Sequence, residues 1–147
     1  MATRNGSAEW HGDLRGGGGD VTVGDGVFEG QYSFASRFEE GEGTNPEELI
    51  AAAHAACLSM ALSADLAEAG HTPDSVRTQA RVEFRPVDGA PTLTSIVLEV
   101  EGTVPGIDAV EFQRFAEGAK QNCPVSRALA AIERIDVVAR LTQPAGR

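Results

Sequence analysis

The chain has 147 residues, a formal charge of −10 at pH 7, and two cysteines. That length suits one domain with a real hydrophobic core. The acidic balance, with no basic run anywhere, excludes a nucleic-acid binder, because phosphate contact needs clustered Lys and Arg.

In chain order, the first forty residues read as β-structure. Ala8 to His11, Val21 to Val23, and the alternating Tyr32, Phe34 and Phe38 are separated by Gly16 to Gly19 and by Asp25-Gly26. The four glycines resemble a phosphate cradle in composition, but no GK[ST] follows and a strand comes next, so a hairpin is expected. MATRNGSAEW lacks the apolar core of a signal peptide, which points to the cytoplasm.

A helix start follows the polar loop 39–43: Asn45 as N-cap, Pro46 at the first helical position, and Glu48 at the capping-box position. The helix is expected to end near Ala69, before Gly70 and Pro73. Its apolar residues are not confined to one stripe, so it is expected to be surrounded, in a core or at an obligate interface between two copies. The weakly polar run Leu49 to Ala64 is shorter than a membrane span and carries His54, Ser59 and Ser63. No membrane partner is expected.

Val76 to Val87 and Thr92 to Glu101 read as a hairpin through Asp88-Gly89-Ala90-Pro91. Ile107 to Gln121 reads as an amphipathic helix with Val110, Phe112 and Phe115 apolar. A short helix to Ala131 and a last strand, Ile135 to Leu141, complete the chain. The predicted architecture is α+β, with curved antiparallel sheets packed on a long buried central helix. The segments are an N-terminal β-region over 1–43, the helix over 44–70, the hairpin over 76–102, and two helices with the last strand over 107–147, all in a single domain.

Cys57 and Cys123 have three readings: inert packing, metal ligation or a redox couple. Metal falls away, because neither CxxC nor HExxH spacing occurs and the three histidines are scattered. Cys123 directly precedes Pro124, so backbone N–H groups at a helix start favour its thiolate. Cys57 sits mid-helix among apolar neighbours, which raise a thiol pKa. Local context therefore ranks Cys123 as the better nucleophile. His54, three residues before Cys57, is a candidate base, although a packed histidine bonded to a carbonyl is commoner. Arg37 beside a buried sulfur would favour its thiolate, with Glu47 holding the guanidinium.

GTNPEELIAAAHAACLSMAL and NCPVSRAL, with AEWHGDLRGGGG and VPGID, resemble the osmotically inducible protein C family, whose relatives include the organic hydroperoxide resistance proteins. SRFEEGEGTNPEE, with its arginine just before the helix, is closer to the osmotically inducible branch. The resemblance implies an intertwined homodimer and a thiol peroxidase with no cofactor. Cys57 would be peroxidatic, Cys123 resolving, and Arg37 and Glu47 the activating pair. The implied partners are an organic hydroperoxide, favoured by apolar residues such as Phe34, Phe38, Leu58 and Met60, and a dithiol reductant, a lipoylated protein or a small thiol. The alternatives are a thiol–disulfide oxidoreductase and a non-enzymatic dimeric binding module for apolar ligands. Ten residues separate Glu47 from Cys57, about 15 Å along one helix, so a site shared across the dimer is expected.

Overall fold

The structure is a computed structural model that describes residues 1–142, so the end of the expected 107–147 segment lies outside the described residues. The chain divides by its internal packing into two compact units, residues 1–49 and residues 50–147.

In the first unit, β1 (Gly6–His11), β2 (Gly18–Val23) and β3 (Phe28–Tyr32) form an antiparallel sheet in that order. The glycine-rich β1–β2 connection is a hairpin turn. The Asp13 carboxylate accepts from the amides of Arg15 (2.9 Å) and Gly16 (2.7 Å), so those two donors are already engaged and face no phosphate. After β3 the expected strand character of Phe34 and Phe38 is overturned: Phe34–Phe38 is a short helix, α1. A reciprocal cap explains the switch. The Ser36 amide donates to Ser33 Oγ (3.1 Å) and the Ser33 amide to Ser36 Oγ (2.8 Å), satisfying two otherwise orphaned N–H groups.

Helix α2 (Pro46–Glu68) begins where its sequence signals place it, with the Glu48 amide donating to Asn45 Oδ1 at 2.8 Å. The Glu48 carboxylate accepts from the Thr44 hydroxyl instead of closing the capping box. The Asn45 amide also donates to the Ser36 carbonyl (2.9 Å), tying α1 to the start of α2. At the far end Gly70 takes φ of +89°, a left-handed conformation that ends the helix.

The second unit holds most of α2, then β4 (Ser75–Val87), β5 (Ala90–Thr103), α3 (Ala109–Asn122), α4 (Pro124–Ala128) and β6 (Arg134–Leu141). Asp88 and Gly89, at φ of +51° and +81°, form a two-residue turn between β4 and β5. The expectation of antiparallel sheets is corrected here, because β6 pairs parallel to β5 and the β4-β5-β6 sheet is mixed. The cause is the connection: β5 reaches β6 through two helices, and such a crossover returns the chain in the same direction.

One stripe of α2, His54, Leu58, Leu62 and Leu66, is fully buried. Its leucines share a core with Ile96, Leu98 and Val100 of β5 and Phe112 of α3. Ser59 bonds Thr78 of β4 at 2.8 Å. Other α2 residues, Met60 among them, are open on this chain. Against the sequence expectation, the 23-residue helix is long and apolar enough to cross a bilayer, with a mean hydropathy of 1.6 over its most apolar window. Its leucine stripe instead packs on the sheet, as in the core helix of a globular unit. Phe112 lies against Gly102, where a Cβ would come within 2.3 Å of the ring, so only glycine lets α3 seat on β5. Val110, expected on the packed face, is exposed because that face is formed by Phe112, Ala116 and Ala119.

Candidate active site

Cys57 lies mid-way along α2, next to the buried stripe, and is partly accessible. Cys123 is fully buried at the junction of α3 and α4. Its extended conformation (φ −60°, ψ 121°) suits a residue before proline, for which the helical region is sterically disfavoured. Its N–H donates to the Ala119 carbonyl (2.8 Å) and its carbonyl accepts from the Arg127 amide (3.0 Å), fixing the backbone on both sides. The turn between the two helices carries Cys123 Sγ to 2.9 Å from Cys57 Sγ, and both cysteines are free thiols. Residues 66 apart in sequence thus meet within about 1 Å of covalent bonding distance.

The two sulfurs differ in acidity. Burial pushes the Cys57 thiol up, its hydrogen bond with Cys123 and the charge there push it further, and the Val125 amide offsets only part. Burial also works against the Cys123 thiolate, but hydrogen bonds from Cys57, from the amide and hydroxyl of Ser126 and from the Val125 amide outweigh it, so its pKa is lowered. Of the two thiols, Cys123 is therefore the more readily ionised. These directions follow the order of acidity expected from local context in the sequence.

His54 is fully buried, and burial lowers its pKa, so the ring is neutral at pH 7. Neither ring nitrogen bonds Cys57, for which His54 is the candidate base. Nε2 lies 2.6 Å from Ser126 Oγ, and Nδ1 has no hydrogen-bond partner. Ser126 was missed by the sequence reading. The available signal was its spacing: three residues after Cys123, it stands one helical turn from the cap position.

In the first unit, Arg37 and Glu47 form a two-pronged ion pair. Arg37 Nη2 donates to Glu47 Oε1 (2.8 Å) and Arg37 Nε to Oε2 (3.2 Å). The Glu47 side chain is only 12% exposed, which screens the pair from water. Arg37 sits on α1, not on a strand, and its guanidinium lies 5.3 Å from the Phe38 ring centre. Phe34 and Phe38 stack at 4.8 Å. Of the other apolar candidates, Leu58 is spent in the core and Met60 is exposed. Among the described residues, no three His, Cys, Asp or Glu side chains gather as metal ligands would.

The structure therefore brings the four residues singled out from the sequence together as two pairs, Arg37 with Glu47 and Cys57 with Cys123. Glu47 and Cys57 stand ten positions apart on the unbroken α2.

Residues 39–137 match the family model described as OsmC-like protein. The chain is 50% identical to "Peroxiredoxin OsmC" of Escherichia coli (strain K12) over 134 residues, covering 90% of this chain and 94% of that one. It is 38% identical to an organic hydroperoxide resistance protein of Xanthomonas axonopodis pv. citri over 89 residues, 60% of this chain and 61% of the other. Among solved structures, the organic hydroperoxide resistance protein OhrB of Bacillus subtilis superposes with a TM-score of 0.69 at 26% identity, covering 94% of this chain and 98% of that chain. An OsmC-like protein of Mycoplasma pneumoniae reaches 0.74 at 18% identity, covering 97% and 99%, a likeness of fold. By family model, by sequence identity along nearly the whole chain and by fold, the chain belongs to the OsmC family, closer to the osmotically inducible branch than to the hydroperoxide-resistance branch.

Proposed function

We propose that this protein is a thiol-dependent peroxidase that reduces organic hydroperoxides to alcohols. The names of its relatives, a peroxiredoxin and a hydroperoxide resistance protein, support the reaction class. The 2.9 Å approach of Cys57 to Cys123 is the observation that carries the mechanism. The Cys57 thiolate attacks the peroxide: an S–O bond forms, the O–O bond breaks, and the departing alkoxide takes a proton to leave as an alcohol. The Cys123 thiolate then attacks the Cys57 sulfenic sulfur. The S–S bond forms, the S–O bond breaks, and the hydroxide takes a proton to become water. A dithiol reductant, a lipoylated protein or a small thiol, is oxidised to its own disulfide and restores both cysteines.

The first step needs the negative charge on Cys57, whereas within its own unit burial and the Cys123 sulfur hold its pKa up. A guanidinium held against Cys57 acts in the opposite direction, and the Arg37–Glu47 pair is suited to supply it. On one helix Glu47 and Cys57 are separated by about 15 Å of rise and roughly 80° of rotation, a gap no carboxylate spans. The proposed site is therefore composite, with Arg37 and Glu47 of one subunit serving Cys57 and Cys123 of the other in a cytoplasmic homodimer. Small side chains at Ala51, Ala52 and Ala53 suit two copies of α2 crossing near that point.

Titrating free thiols after adding cumene hydroperoxide tests the reading. Loss of both thiols at one equivalent of peroxide is expected. Retention of both thiols under excess peroxide refutes it, and thiol loss only with disulfide substrates favours an oxidoreductase acting on thiols.

A further inference from the structure

The first unit holds a second arginine that the steps above leave unused. Arg15 stands in the turn between β1 and β2, and that turn is fixed from several sides. The Asp13 carboxylate accepts from the amides of Arg15 and Gly16, and the Asp13 carbonyl accepts from the Gly17 amide at 2.9 Å. Trp10 Nε1 donates to the carbonyls of Gly12 (3.1 Å) and Asp13 (3.2 Å). A Cβ on Gly17 would run into the His11 and Asp13 carbonyl oxygens, so glycine is required for so close a turn. From this frame the exposed Arg15 side chain lies over the Phe34 ring, with Cζ 4.6 Å from the ring centre. Among the described residues its guanidinium has no ion pair, although the chain carries a net charge of −10.

Phe34 and Phe38 are one helical turn apart on α1 and so share a face. Their rings stack at 4.8 Å, and Arg37 Cζ lies 5.3 Å from the Phe38 centre. The contacts thus run in series: Arg15, Phe34, Phe38, Arg37, Glu47. A helix of five residues is too short to hold its shape by its own backbone bonds. The Ser33–Ser36 cap and the Asn45–Ser36 bond secure its backbone, and Arg15 ties its aromatic face to the β1–β2 turn.

We propose that Arg15 is a positioning residue for the Arg37–Glu47 pair. Its guanidinium caps the Phe34–Phe38 stack, and that stack is the wall against which the Arg37 guanidinium lies while it bonds Glu47. A cation over an aromatic face is attracted by the ring's electron-rich surface, so Arg15 holds the first ring as Arg37 holds to the second. The wall restricts the torsions of a long side chain, which leaves its planar fork already aligned with the carboxylate. The glycine-rich turn thereby has a use other than phosphate binding: it is the rigid mount for Arg15. The effect on turnover rests on the reading of Arg37 as the activator of Cys57. The order of the Arg37 side chain does not.

The test follows hydrogen exchange at the Arg37 Nε–H, which Glu47 Oε2 accepts at 3.2 Å, by NMR on isotope-labelled full-length protein. Arg85 Nε–H, bonded to Glu83 Oε1 at the same distance in the second unit, is the internal reference. Arg15→Ala is expected to speed exchange at Arg37 about two- to five-fold, the factor that an exposed cation–ring contact commands, and to leave Arg85 unmoved. Phe34→Leu is expected to act in the same direction, and Arg15→Ala is expected to add nothing in that background, because the relay is already cut. An unmoved Arg37 in Arg15→Ala overturns the proposal. So does equal acceleration at Arg85, or a full second effect in the Phe34→Leu background. If Phe34→Leu does not fold, Arg15→Ala with its Arg85 reference decides alone. In turnover, Arg15→Ala is expected to slow sulfenic acid formation by the same two- to five-fold while disulfide closure keeps the parent rate. Absence of any sulfenic acid in the unaltered protein would refute the peroxidase reading and leave the exchange result standing.

Discussion

Oxidation of the cysteine pair should make this protein markedly harder to unfold. The perturbation is one equivalent of organic hydroperoxide, added in the absence of reductant. The 66-residue separation of Cys57 and Cys123 sets the magnitude. Closing a loop of that size removes denatured-state entropy worth about 4 kcal/mol in the chain-entropy account. Strain in the folded state would subtract from that, but the sulfurs start 2.9 Å apart and need to close only about 1 Å. For a chain of this length each kcal/mol moves the melting temperature by about 2–4 °C, so the oxidised form should melt roughly 8–16 °C above the reduced one. Differential scanning calorimetry on matched oxidised and reduced samples measures the difference. A Cys123→Ser control should show no peroxide-induced gain. An oxidised protein that melts at or below the reduced one would refute the reasoning, because bonding would then be costing backbone packing that the geometry says is left alone.

Three further outcomes are expected. Cys57→Ser should consume no hydroperoxide, whereas Cys123→Ser should complete one turnover and leave a sulfenic acid that dimedone traps. Loss of that first turnover in Cys123→Ser alone would reverse the two roles. Mixed dimers of Cys57→Ser and Glu47→Ala chains should regain up to half the native activity, since both lesions fall in one composite site and leave the other whole. Dimers with both lesions on one chain should show only the residual activity of the single variants, and the opposite pattern would place Glu47 with its own chain's cysteine. Stability should also fall with pH below about 6.5: burial lowers the His54 pKa, so the unfolded chain takes up that proton first, until the folded ring itself titrates. Urea unfolding at stepped pH should show this slope, up to about 1.4 kcal/mol per pH unit, and His54→Gln should remove it.

The elements legible in the sequence were those specified locally. Asn45-Pro46 and Gly70 mark both ends of α2, and Asp88-Gly89 marks the turn between β4 and β5, because capping and left-handed turns depend on a few adjacent residues. Phe34 to Phe38 was misread because five residues of alternating aromatic character fit a strand, while the cap that makes them helical uses two serines in place of the usual Ser-x-x-Glu. The direction of β6 depends on where two intervening helices return the chain, which no local pattern encodes. At the site, the cysteines and the Arg37–Glu47 pair were visible as residue types in distinctive contexts. The His54–Ser126 bond joins α2 to α4, and its partner choice is a product of packing.

The position of Cys123 between two helices also bears on the tempo of the reaction. Its amide and carbonyl are both committed to helical hydrogen bonds, and Cys57 belongs to a continuous helix. The remaining sulfur-to-sulfur gap is small enough to be crossed by side-chain torsions, which turn over in picoseconds to nanoseconds. Bond formation therefore does not wait for a helix to unravel, an event that takes microseconds or longer. In the proposed cycle no backbone rearrangement stands between a Cys57 sulfenic acid and its partner sulfur, which favours the disulfide over further oxidation to the sulfinic acid that thiols cannot restore.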